Sequence, residues 1–136
     1  MADDVLVNKA ATIERCIRRV REEYAAAGAH FATDYTRQDA AVLNIQRACE
    51  AALDMGQHII RRDKLGAAQS SRDVFDLLAS AGRIDAALAS SMQKMVGFRN
   101  IAVHDYKKLL LQITEMVITQ HLDEFLQYST ALLQQR

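Results

Sequence analysis

The chain has 136 residues, which fits a single domain over residues 1–136 that can bury a core without disulfides or metals. Half of its residues are hydrophobic, it has no proline and it has only five glycines, so its composition favours an all-α protein. Its formal net charge is zero, which excludes a uniformly basic nucleic-acid binder, and positive charge for such a partner must be local.

The beginning of the chain gives no sign of targeting to a membrane. Residues 1–4 contain no basic segment, and no apolar run follows them, so no signal peptide is expected. No apolar stretch approaches the length of a membrane span. We therefore expect a cytoplasmic protein without a membrane partner, and we expect Cys16 and Cys49 to be buried, reduced thiols.

Apolar residues recur at helical spacing along nearly the whole chain. The first helix is expected over about residues 3–27, with Gly28 as its stop, and the second begins between residues 34 and 39 and ends near residue 62. A short helix should follow a capping hydroxyl at Ser70 or Ser71 and end by Gly82.

Two more helical stretches complete the predicted fold. One runs from about Arg83 toward His104, and the other covers about residues 109–133 with a possible kink near residues 120–123. The expected architecture is an up-and-down bundle of four or five longer helices plus a short one.

Chemically versatile side chains concentrate in residues 99–106, which read Arg-Asn-Ile-Ala-Val-His-Asp-Tyr. Asn100 and His104 are four residues apart and share one face of a helix, whereas Arg99 lies about 140° from His104 on a regular helix. Tyr106 would point elsewhere on an unbroken helix, so we expect the helix to end near His104 or Asp105.

These residue types suit cleavage of RNA without a metal, and neither a metal site nor a cofactor is expected. His104 can carry protons near neutral pH, and the planar guanidinium of Arg99 matches phosphate oxygens. Asn100 could orient His104 or contact the scissile phosphate. One histidine is few for a reaction that needs an acid and a base, so a two-fold homodimer would supply two such sets to one cleft.

The Arg-x4-His spacing alone is weak, since twelve arginines and four histidines produce it by chance in roughly one such chain in three. The longer string is more specific. Residues 95–106 resemble the R-x4-H-x-Y signature of the HepT-like toxins, a branch of the HEPN superfamily, including the lead Met95-Val96-Gly97-Phe98. Residues 13–24 and 38–54 resemble the first and second helices of that family, so the resemblance covers most of the chain.

That resemblance implies several properties. It implies a dimeric helical bundle that cleaves RNA, such as tRNA, without a metal and arrests growth. It implies as partner an antitoxin of the minimal nucleotidyltransferase (MNT) type, which silences the toxin by attaching AMP to the motif tyrosine, Tyr106 by position. Attached AMP would place negative charge and bulk beside the cleft.

Some interpretations stay open at this point. A non-catalytic alternative is a HEPN-like module that binds a nucleotide or serves only as the partner of a nucleotidyltransferase. Lys107 and Lys108 could contact RNA because they flank the motif. The arginines at positions 15, 18, 19 and 21 could face RNA, the antitoxin or only solvent.

Overall fold

A computed structural model describes residues 3–134 of the chain. The helices are α1 (Asp4–Ala27), α2 (Tyr35–Arg62), α3 (Ser71–Ser80), α4 (Ala86–His104), α5 (Leu111–Met116) and α6 (Leu122–Leu133). A π-helical segment, Val117–His121, joins α5 to α6, so that four long helical segments and one short helix make the bundle. Residues 3–134 contain no strand, and the predicted all-α, up-and-down architecture is confirmed.

Short polar side chains set the starts of the first four helices. Asp3, Asp34, Ser70 and Asp85 each accept a hydrogen bond from a backbone N–H in the first turn of the helix that follows. The structure therefore confirms the predicted limits of α1 and α2 and the capping hydroxyl at Ser70.

The expected start of α4 lies three residues too early. α4 begins at Ala86 rather than near Arg83, because Asp85 caps it and because the Arg83 guanidinium instead lies 2.6 Å from the Asp63 carboxylate at the end of α2. The last stretch begins at Leu111, and the π segment that ends at His121, followed by the start of α6 at Leu122, confirms the kink expected near residues 120–123. Thr119 donates its hydroxyl proton to the Glu115 carbonyl at 2.8 Å, a contact that bends helices.

α1 and α2 form an antiparallel pair, and the other helices pack on it. Ion pairs fix the direction, since His58 and Arg62 near the end of α2 both contact Asp3 at the start of α1. α6 closes the bundle over both helices. One core cluster runs through all four long segments, and it buries Cys16 and Cys49 as reduced thiols, as predicted.

At Gly56, α2 comes close to side chains of both α3 and α6. A Cβ atom there would lie 2.5 Å from Val74 Cγ1 and 2.8 Å from the Tyr128 hydroxyl oxygen. Tyr128 is fully buried and donates its hydroxyl proton to the Ala52 carbonyl at 2.7 Å. The glycine costs α2 some helix propensity, but it lets the three helices close around that hydrogen bond.

Within residues 3–134, no helix is both long and apolar enough to cross a bilayer.

We predict that Gly56→Ala destabilises the fold although alanine is the better helix former. The added methyl must displace Val74 and Tyr128, and overpacking of this kind costs about 1–3 kcal/mol. Gly97→Ala is the matched control, because nothing lies within 4 Å of the added atom and it should stabilise α4 by about 0.5–1 kcal/mol. Urea unfolding followed by circular dichroism measures both, and equal shifts in the same direction would contradict the packing argument.

Candidate functional site

The last turns of α4 carry the residues that the sequence singled out. Met92, Val96 and Ala102 are buried and hold this helix against the core. His104 is the last helical residue, and the backbone of Asp105 leaves the helix with φ −154° and ψ 67°. The expected helix end is thus confirmed, and it places Arg99, Asn100 and His104 within two turns of a helix terminus.

Arg99 is partly exposed, and its inner portion lies against the core. Its Nε atom is buried and makes no hydrogen bond among residues 3–134. The Cys49 thiol of α2 is close enough to sense its charge: burial raises the pKa of Cys49 to about 12, and the Arg99 guanidinium acts in the opposite direction. No carboxylate of the described chain pairs with Arg99, so its guanidinium charge is not neutralised.

Asn100 and His104 are exposed, and within residues 3–134 their side chains make no hydrogen bonds. Both ring nitrogens of His104 are therefore available to an external donor or acceptor. With Arg99, the helix end presents an unpaired cation, an amide and an imidazole on a short stretch of surface. Such a set can hold a phosphate and move protons at oxygens bonded to it.

Tyr106 lies in a 3₁₀ turn, Tyr106–Lys108, directly after α4. Its side chain is 44% exposed, and its hydroxyl donates to Asp39 Oδ1 of α2 at 2.5 Å. Partial burial and, secondarily, this hydrogen bond raise the pKa of Tyr106 to about 12, because both disfavour the phenolate. Sequence reasoning missed Asp39, which is 67 residues away along the chain, and only tertiary packing reveals the pair.

The two lysines after Tyr106 are exposed, as expected for residues that could meet RNA. Lys108 Nζ lies 3.4 Å from the Asp105 carboxylate, an exposed pair of little energetic weight. Lys107 makes no ion pair with any residue in the described range.

The arginine cluster of α1 divides in the structure. Arg19 pairs with Glu23 at 3.2 Å and Arg21 with Asp123 at 2.7 Å, so these two are occupied within the chain. Arg15 and Arg18 make no ion pair within residues 3–134, and with Arg19, Arg47 and Glu22 they line a groove of about 380 Å³ between α1 and α2. Four arginines and one glutamate therefore give this groove a positive charge.

The described residues were also searched for side chains that could bind a metal ion together. No group of three or more His, Cys, Asp or Glu side chains in residues 3–134 could hold a metal ion. His58 hydrogen bonds to Asp3 at 2.7 Å instead of joining its helix neighbour Asp54, which pairs with Lys9.

Comparison with known proteins places this arrangement in a family. An all-helical bundle with an Arg-x4-His helix end and a tyrosine two residues later is the HEPN arrangement that the sequence suggested. The profile of the family described as "Ribonuclease HepT-like" matches residues 13–132. The chain belongs to the HepT-like ribonuclease family.

A curated relative and two solved structures are similar over almost the whole chain. The relative, "mRNA nuclease HepT" of Shewanella oneidensis, is 48% identical over 93% of this chain and 94% of its own length, which supports endoribonuclease activity. A toxin–antitoxin complex with AMP-PNP contains a chain that is 45% identical, with TM-score 0.91, over 96% of this chain and 98% of that one. A tri-AMPylated HEPN toxin of Shewanella oneidensis in complex with MNT antitoxin is 46% identical, with TM-score 0.91, over 96% and 97%.

Proposed function

We propose that this chain is the toxin of a HEPN/MNT toxin–antitoxin pair and an endoribonuclease whose site is the end of α4. The observation that carries the proposal is that the last two turns of α4 carry an unpaired Arg99 guanidinium and an unpaired His104 imidazole, in a chain that belongs to a ribonuclease family. The proposed localisation is the cytoplasm, where RNA and the antitoxin are available.

Phosphodiester cleavage would use Arg99, Asn100 and His104 in different roles. Arg99 binds the non-bridging oxygens of the scissile phosphate and stabilises the charge that develops on them. His104 removes the proton of the ribose 2′-hydroxyl as its oxygen attacks phosphorus, and a second His104 protonates the departing 5′-oxygen. Asn100 orients the imidazole or the phosphate. No step requires a metal ion.

The RNA class is a separate part of the proposal. The sequence suggested tRNA, and a 48% identical relative is described as an mRNA nuclease. Both stay candidates, because the α4 end holds groups that read phosphate and ribose, which all RNA shares. Lys107 and Lys108 add positive charge near the cleft and are proposed as phosphate contacts.

The second His104 comes from a two-fold partner. Large apolar side chains are exposed between residues 101 and 116, where six of the eleven exposed ones in the described chain lie: Ile101, Val103, Tyr106, Leu110, Ile113 and Met116. Exposed apolar side chains that concentrate in one segment next to a polar site are candidates for a protein–protein interface. A homodimer formed through this apolar face, residues 101–116, would bring two α4 ends together.

The antitoxin partner regulates the site through Tyr106. One solved relative is a tri-AMPylated toxin bound to MNT antitoxin, and Tyr106 stands two residues after His104 with an exposed ring. Transfer of AMP joins the phenol oxygen to the α-phosphorus of ATP and releases pyrophosphate. The attached phosphodiester is negatively charged and repels the RNA phosphate that Arg99 would otherwise bind.

Substitution of either charged residue should abolish cleavage. We expect Arg99→Ala and His104→Ala each to reduce RNA cleavage at least ~100-fold, since phosphate stabilisation and acid–base catalysis are each lost. The assay uses purified protein with total tRNA and with an mRNA transcript, both in chelator. Arg61→Ala and His30→Ala remove an exposed arginine and an exposed histidine elsewhere and should cleave normally. Full activity of the two α4 variants would show that the end of α4 is not the active site. Binding of RNA without cleavage by the unaltered chain would favour the non-catalytic alternative.

Dimerisation should depend on the apolar face. Ile113 and Val7 are each 43% exposed, but only Ile113 belongs to that face. Ile113→Glu should therefore yield a folded monomer without ribonuclease activity, whereas Val7→Glu should remain a dimer and cleave RNA. Light scattering after size-exclusion chromatography measures the mass of each. An unaltered chain that is monomeric, or a dimer unaffected by Ile113→Glu, would contradict the proposed interface.

Modification should be confined to Tyr106. Incubation with the cognate nucleotidyltransferase and ATP should add one or more AMP masses to the intact protein and suppress cleavage, and Tyr106→Phe should gain none. Tyr24→Phe is the matched control, because Tyr24 also donates to a carboxylate, that of Glu115 at 3.0 Å. AMP that persists on Tyr106→Phe would exclude this residue.

A further inference from the structure

The hydrogen bond between Tyr106 and Asp39 positions the tyrosine hydroxyl beside a carboxylate. It joins the 3₁₀ turn after α4 to the second turn of α2. In residues 105–108, no other side chain forms a hydrogen bond or ion pair with another helix, because Lys108 pairs only with its neighbour Asp105. The position of the Tyr106 hydroxyl is therefore set by one carboxylate.

Asp39 is free to act chemically. It is exposed, and no cation of the described chain pairs with it. Arg37, two residues earlier on α2, forms its ion pair with Glu23 instead, with 2.6 Å between the guanidinium and carboxylate atoms. An ionised carboxylate can only accept hydrogen bonds, so the phenol proton lies between the two oxygens on a path to Asp39.

We propose that Asp39 is the base that prepares Tyr106 for adenylylation, an inference that rests on the proposed modification of this tyrosine. Asp39 holds the phenol oxygen toward the incoming nucleoside triphosphate and accepts its proton. The phenol oxygen forms a bond to the α-phosphorus, the bond from that phosphorus to the pyrophosphate oxygen breaks, and pyrophosphate leaves. The nucleotidyltransferase supplies the triphosphate, and the toxin itself supplies the base.

A base is needed because the phenolate is scarce. With the pKa of Tyr106 at about 12, only about one molecule in 10⁵ carries the phenolate at pH 7. The same carboxylate that disfavours a free phenolate can take the proton while the new bond forms, so that no free phenolate is required. General-base assistance of this kind contributes about 10²–10⁴-fold to a rate.

The arrangement also explains why this tyrosine would be selected. Tyr24 is only partly exposed and its hydroxyl donates to Glu115, and Tyr128 is fully buried and donates to the Ala52 carbonyl. Tyr106 combines an exposed ring with a carboxylate already bonded to its hydroxyl. Within residues 3–134, no other tyrosine has both features.

The test compares three substitutions at Asp39 in the full-length toxin. Asp39→Asn keeps an oxygen that can accept the hydrogen bond but cannot take the proton, Asp39→Ala removes both functions, and Asp39→Glu keeps the carboxylate. Each is incubated with the cognate nucleotidyltransferase and ATP, and intact mass gives the kcat and KM of AMP incorporation. Thermal unfolding by circular dichroism checks that each variant is folded.

We expect Asp39→Asn to lower kcat at least ~100-fold with KM for the toxin changed less than ~3-fold, and Asp39→Glu to recover part of kcat. A residue that merely held the turn in place would raise KM instead. Glu50→Gln is the matched control, because it removes an exposed carboxylate of the same helix that accepts only from Gln46, and it should be modified normally.

The outcomes separate the two proposals. An unaltered toxin that gains no AMP overturns the modification itself and the role of Asp39 with it. An unaltered toxin and an Asp39→Asn variant that gain AMP at the same rate overturn the role of Asp39 alone. A loss that appears as a higher KM, with kcat unchanged, also overturns the assignment of Asp39 as a base.

Discussion

At Gly56, α2 packs against α3 and α6 at a distance that leaves no room for a side chain. A Cβ atom there would collide with Val74 and with the Tyr128 hydroxyl, so the fully buried bond from Tyr128 to the Ala52 carbonyl forms only because α2 has no side chain at this point. An unpaired hydroxyl in that position would cost about 1–3 kcal/mol. These contacts hold α2 tightly between α3 and α6.

α2 in turn positions the proposed site, which lies on other elements. Its Cys49 thiol donates to the Met95 carbonyl of α4 at 3.4 Å and lies close to the Arg99 guanidinium. Nearer its start, Asp39 holds the Tyr106 hydroxyl. One rigid helix thus supports both the residue proposed to bind phosphate and the residue proposed to be modified, although α2 carries none of the groups that the sequence motif contains.

Local patterns in the sequence predicted what depends on local chemistry. Helical spacing, with Gly28 as a stop, predicted α1 and α2 closely. The end of α4 was expected near His104 or Asp105 because Tyr106 would point elsewhere on an unbroken helix, and α4 ends at His104. The start of α4 was placed too early because Arg83 pairs with Asp63, the residue that caps the end of α2. Asp39 was missed for the same reason, since no spacing rule relates residues 39 and 106. Pairs made across the bundle are decided by packing, which a single sequence does not display.

We propose that RNA binds at His104 at the end of α4 and that AMP on Tyr106 prevents this binding. The most direct measurement is an NMR titration of histidine-labelled protein with a 2′-O-methyl oligoribonucleotide, which cannot be cleaved because its 2′-oxygen carries no proton. The His104 ring resonances should shift with RNA in the unmodified protein and stay unchanged once Tyr106 is adenylylated, with His30 as an internal reference. Bound RNA that leaves His104 unshifted, or an equal shift in the adenylylated protein, would contradict this proposal.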